Sequence, residues 1–157
     1  MLEQLTSPQA MKLIAQVEQP FKGLPHLPKG LVDFLVGIAP WLVGLGGVLS
    51  IIGGLSLLGN TSGMQSNMWM QLAGISPAYF LLSGVISLVS GALMLMAFKP
   101  LKNKELKGWV YMFWLELINV VQMAVGVAFG ASSIVGMVIG LAIGFYILFE
   151  LKPSYKA

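Results

Sequence analysis

The sequence predicts an all-α, polytopic membrane protein: four transmembrane helices preceded by a short N-terminal amphipathic surface helix. Three observations carry that reading. Residues 31–58, 77–98, 108–129 and 133–151 are apolar runs of about the 20 residues that cross roughly 30 Å of hydrocarbon, or longer. The 157-residue chain is 57% hydrophobic and 10% charged, whereas soluble domains carry about 25% charged residues. Its nine cationic residues are all lysines, and they sort to one side of a four-crossing topology.

Residues 1–30 read as a cytoplasmic amphipathic segment with a proline-rich connector, and 31–157 as the transmembrane domain. The N-terminal segment has no continuous apolar core, which excludes a cleavable signal peptide there. Ser7-Pro8 is a helix start: a capping hydroxyl, then a proline whose missing N–H does no harm at the first helical position. Met11, Ile14, Val17 and Phe21 then recur three and four residues apart, with Lys12, Gln16 and Gln19 on other faces. That pattern suits a helix lying on the membrane surface, its lysines reaching anionic lipid head groups. Pro20, Pro25 and Pro28 break the helix and favour an extended connector. His26, the only histidine, has no partner ligand nearby in sequence and reads as a connector residue.

The first apolar run is longer than the bilayer core. Asp33 belongs near its start, where the helix dipole favours a carboxylate, and Pro40 is expected to bend it. The connection 59–76 has no charged residue. Its Met64, Met68 and Met70 have a spacing that can hold Cu(I), but a short interfacial helix anchored by Trp69 accounts for them without metal. Ser76-Pro77 repeats the cap-and-proline start. Lys99, Lys102, Lys104 and Lys107 then crowd the next loop, and the run Gly108-Trp109-Val110-Tyr111 reads as an interfacial aromatic belt. Residues 130–132 leave room only for a tight turn, so the last two spans form an antiparallel hairpin.

Lys12, Lys22 and Lys29 precede the first span, and Lys152 and Lys156 follow the last. The positive-inside rule therefore puts both termini in the cytoplasm, and the expected location is the cytoplasmic (inner) membrane.

Small residues recur at every fourth position in three spans: Gly46, Ser50 and Gly54; Ser83, Ser87 and Gly91; Ser132, Gly136, Gly140 and Gly144. Such stripes let helix backbones approach closely, which matters where lipid gives no hydrophobic reward for association. Three of them in one small chain point to a homo-oligomer or to packing against other membrane subunits.

One polar constellation lies inside a span. Glu116, Asn119 and Gln122 descend one face of the third helix, with Glu116 about 12 Å beyond Gly108 and so near mid-bilayer. An ionised carboxylate there costs at least about 2.5–3.5 kcal/mol, so Glu116 must be neutral, paired or open to water. It is either a proton- or cation-binding group or a hydrogen-bonding residue that keeps helices in register.

With no cysteine, thiolate metal sites and disulfides are excluded. The sequence has no His/Cys cluster, no phosphate-binding glycine loop and no nucleophile paired with a base, so neither an enzyme nor a cofactor is expected. No basic patch with interleaved aromatics suits nucleic acid. The resulting expectation is a non-enzymatic integral membrane scaffold or accessory subunit. The alternative is a small proton- or cation-coupled transporter or channel using Glu116.

Overall fold

A computed structural model of the chain describes residues 7–59 and 76–156. The described residues are helical, with no strand. Helix α1 spans Pro8–Glu18 and ends in a 3₁₀ turn, Gln19–Phe21. Four long helices follow: α2 Lys29–Gly59, α3 Pro77–Lys102, α4 Leu106–Ala128 and α5 Ile134–Leu151, the last continuing into a 3₁₀ turn at Lys152–Ser154. All four are long and apolar enough to cross a membrane. The methionine-rich stretch around Trp69 lies outside the described residues.

Local chemistry sets the helix starts. The Ser7 hydroxyl accepts the Ala10 N–H at 3.3 Å, and Pro8 opens α1. Ser76 accepts from Ala78 ahead of Pro77, and Ser133 accepts from Gly136 at 3.1 Å. Each hydroxyl satisfies an N–H that has no partner within its own helix. Helix α2 runs as one element through Pro40, and its 31 residues extend about 46 Å, well beyond a bilayer core.

The turn between α4 and α5 closes as expected. Gly130 adopts φ +71°, a left-handed conformation natural to glycine. The Ala131 and Ser132 N–H groups donate back to the Gly126 carbonyl at 2.7 and 3.1 Å. A Cβ on Gly126 would stand 2.6 Å from the Ser132 hydroxyl, so this turn needs glycine at 126 as well.

The helices pack in chain order, α2 on α3, α3 on α4 and α4 on α5, and α5 also touches α2. The buried core gathers at the lysine-bearing end. There Trp109, Phe113 and Val110 of α4 meet Leu101 of α3, Phe145, Leu148 and Phe149 of α5, and Ile14 of α1. Towards the other end the helices present apolar side chains outward, including Leu49, Ile52 and Leu55 of α2 and Val135 and Val138 of α5. Outward apolar residues are what hydrocarbon solvates best.

Two expectations change at the lysine-bearing end. Trp109, Val110 and Tyr111 are buried, not an interfacial belt. Trp109 is fully enclosed and donates its indole N–H to the Leu148 carbonyl at 2.7 Å. Its ring belongs to a cluster with Phe113 and Phe149 that continues to Phe145 and Phe21. The predicted amphipathic helix α1 is present, but its apolar face also meets protein. Ile14 is buried, and Phe21 lies 5.6 Å from the Phe149 ring centroid.

Candidate functional site

Two polar groupings stand out, one inside the spans and one at the lysine-bearing end. Inside the spans, the Asn119 side-chain amide donates to the Glu116 carboxylate at 3.3 Å, a contact within α4. Gln122 instead crosses between helices, donating to the Ser83 hydroxyl on α3 at 3.0 Å. Ser83 is buried, and Gln122 leaves its carbonyl oxygen buried without a partner. The three predicted polar residues thus divide by task. Gln122 links α4 to α3, whereas the Glu116 carboxylate lies against Gly144 of α5, where an added Cβ would collide with it.

The small-residue stripes are redistributed too. Close backbone approach between α2 and α3 runs through Gly47 and Gly91 and through Gly54 and Gly84. A Cβ on Gly47 would stand 3.1 Å from the Gly91 carbonyl oxygen, and one on Gly91 would stand 2.9 Å from that of Gly47. At Gly54 the distance to the Gly84 oxygen is 2.9 Å. Gly54 and Gly91 of the sequence stripes stand at this contact, with Gly47 and Gly84 in place of Gly46 and Ser87. Gly46 instead faces the Met94 side chain, which also receives the Ser50 hydroxyl at 3.8 Å. Ser87 is half-buried. A seven-residue interval, shared by 47/54 and 84/91, was the legible signal: two turns of helix return to nearly the same face.

On α5 the three glycines differ. Gly144 faces Glu116, Gly140 lies beside the end of the Met123 side chain, and Gly136 is exposed, close only to the hydroxyl of its own cap, Ser133.

The second grouping was not read from the sequence as a unit. His26 Nδ1 lies 2.8 Å from one Glu150 oxygen, and the Leu27 N–H donates to the other at 2.8 Å. The Tyr146 hydroxyl donates to the Pro25 carbonyl, and Lys152 pairs with Glu18 while lying over the Trp109 ring. Four contacts therefore fasten residues 18–27 to the end of α5. They border a cavity of about 220 Å³ lined by Glu18, Lys22, His26, Tyr146 and Glu150 over a floor that includes Phe149. Asp33 lies exposed within the first turns of α2.

The C-terminal residues close onto the α3–α4 corner: Leu106 donates to the Lys156 carbonyl at 2.6 Å and Lys156 donates to that of Lys104 at 3.0 Å. Lys102 lies over the Trp41 ring, 5.6 Å from its centroid. The three lysine-bearing segments accordingly meet at one end of the molecule. Comparison with known protein families, characterised proteins and solved structures finds no match to this chain.

Proposed function

We propose that this chain is a non-enzymatic integral membrane scaffold or accessory subunit, completed by a second copy or by another membrane subunit. The observation that carries the reading is the outer face of α5. Gly136 is exposed between Ile134, Val135, Val138 and Ile139, whose relative exposures are 62%, 69%, 56% and 54%. An exposed apolar surface that carries a glycine suits a neighbouring helix, because close van der Waals contact is the main reward for association in lipid. We place the protein in the cytoplasmic membrane with the lysine-bearing end inside. The meeting of all nine lysines' segments at one end supports that orientation.

Gentle detergent extraction followed by native mass spectrometry tests the assembly. An oligomer or a stable complex that Gly136→Leu weakens is the expected result. A monomer unaffected by that substitution sinks the reading.

A second reading rests on Glu116. The link between α3 and α4 is made by Gln122 and Ser83, and the Glu116 hydrogen bond comes from its own helix. That leaves a carboxyl group near mid-span whose cost the bridge between helices does not explain. On this reading Glu116 carries protons or a coupled cation. In proteoliposomes under a pH gradient, wild type then passes protons and Glu116→Gln does not. Equal flux from both leaves Glu116 as a packing residue.

A further inference from the structure

A groove of about 220 Å³ lies between α3 and α4, lined by Val85, Ile86, Val89, Ile118 and Val121. Every wall residue is β-branched, so its side chain has few rotamers and the groove stays open without help. Val85, Val89 and Val121 are each more than half exposed, at 52%, 54% and 54%.

What stands above the groove gives it an occupant. Lys107 precedes Ile118 by eleven residues and Lys99 follows Val89 by ten, so each lysine lies about 15–16 Å along its helix from the wall. On α4, Lys107, Trp114, Ile118 and Val121 fall within a stripe of roughly 60°, taking 100° per residue. On α3 the exposed Met96 lies between Val89 and Lys99. The corner joining the helices is closed backbone to backbone. A Cβ on Gly108 would stand 2.6 Å from the Leu101 nitrogen, so α3 and α4 are held together just below the two lysines. Both lysines are exposed, and the ion pairs found among the described residues involve neither. The acid of this corner, Glu105, accepts from Asn103.

We propose that the α3–α4 groove binds one anionic phospholipid. Its phosphate-bearing head group sits at Lys99 and Lys107, and one acyl chain runs past Trp114 onto the valine and isoleucine walls. The length fits, since about 15 Å from head group to groove is half the roughly 30 Å hydrocarbon core. The charge also fits, because lysines near a membrane surface attract anionic lipid. A second copy in the same orientation is the poorer occupant: its own lysine corner would stand at the same depth, bringing like charges together.

The test is native mass spectrometry of the full chain from mixed micelles holding equal amounts of dioleoyl phosphatidylglycerol and dioleoyl phosphatidylcholine. One phosphatidylglycerol retained per chain, in preference to phosphatidylcholine, is expected. K99Q and K107Q should each reduce that preference about fivefold, with helix content by circular dichroism unchanged. I118W, which fills the groove, should reduce retention of both lipids. Equal retention of the two lipids by wild type overturns the proposal, as does a preference that survives K99Q/K107Q. A dimer that I118W dissociates would assign the groove to a second copy and also overturn it.

Discussion

His26 and Glu150 meet across 124 residues of sequence, with Nδ1 2.8 Å from Oε1. The same carboxylate takes the Leu27 N–H at 2.8 Å. Between Pro25 and Pro28, only His26 and Leu27 have backbone N–H groups, so the connector has few ways to bond itself down. Glu150 is thus the main anchor of this stretch.

Removing that anchor should free the connector without unfolding the helices. A hydrogen bond to a charged group contributes about 1.5–3 kcal/mol, so Glu150→Ala should open the segment roughly tenfold or more. Trypsin cleavage after Lys22 is the measurement, since Lys22 lies exposed beside the anchor. Glu105→Ala, which removes an acid bonded to Asn103 on the α3–α4 corner, serves as control. Equal cleavage of wild type and Glu150→Ala would show that the connector is held by Phe21 and Tyr146 instead.

The α2–α3 contact makes a position-specific prediction. Gly91→Val puts bulk where even a lone Cβ would stand 2.7 Å from the Ile51 side chain and 2.9 Å from the Gly47 oxygen. Overpacking of that kind costs about 1–3 kcal/mol. Gly53→Ala, one position from Gly54, meets nothing within 4 Å and should be neutral or slightly stabilising. Thermal unfolding in one detergent compares the two. Equal loss at 53 and 91 would overturn the assigned register.

That contrast shows why the sequence revealed the elements but not their faces. The Ser7-Pro8 and Ser76-Pro77 starts, the tight turn at Gly130 and the four spans follow from local chemistry and length, and all were legible. In water, a helix declares its buried face by the apolar side of its pattern. In α2 and α3 nearly every residue is apolar, because core and lipid are both apolar, so the pattern carries little phase information. Gly46 and Gly47 are then equivalent candidates until α3 is placed beside them. The burial of Trp109 is hidden for a related reason: an aromatic near a lysine loop suits a lipid interface and a buried cap equally well. The partnership of His26 with Glu150 depends on how the connector folds back, which no interval in the sequence encodes.

Tyr155 provides a pH-dependent test outside the spans. Its ring is buried, its hydroxyl is without a partner, and burial pushes its ionisation above the ordinary 10.0. Because the folded-state value is raised, the stabilisation is fully present below pH 10 and declines as pH rises through the folded value. Tyr155→Phe removes both the orphaned hydroxyl and this titration. The variant should be at least as stable as wild type at pH 7, by up to about 1 kcal/mol. It should also lose less stability than wild type as pH rises above 10.0. A variant clearly less stable at pH 7 would mean that the hydroxyl has a partner.

The contact between Gly144 and Glu116 yields the sharpest test of the polar constellation. A Cβ at 144 collides with the Glu116 carboxylate, whereas at 140 it would meet only the flexible end of Met123, at 3.3 Å. Gly144→Ala should therefore destabilise by about 1–3 kcal/mol, and Gly140→Ala should cost less than about 0.5 kcal/mol. If the carboxylate is the obstacle, shortening it must relieve the clash. In the Glu116→Ala background, Gly144→Ala should cost at least about 1 kcal/mol less than in wild type, a coupling well outside additivity. Glu116→Gln keeps the bulk and should give no relief, which separates shape from charge. Additive effects would mean that the carboxyl group rests elsewhere and that glycine at 144 serves another helix. Coupled effects would explain Gly144 by the side chain it makes room for, not by a backbone approach, and would detach it from the stripe it shares with Gly136 and Gly140.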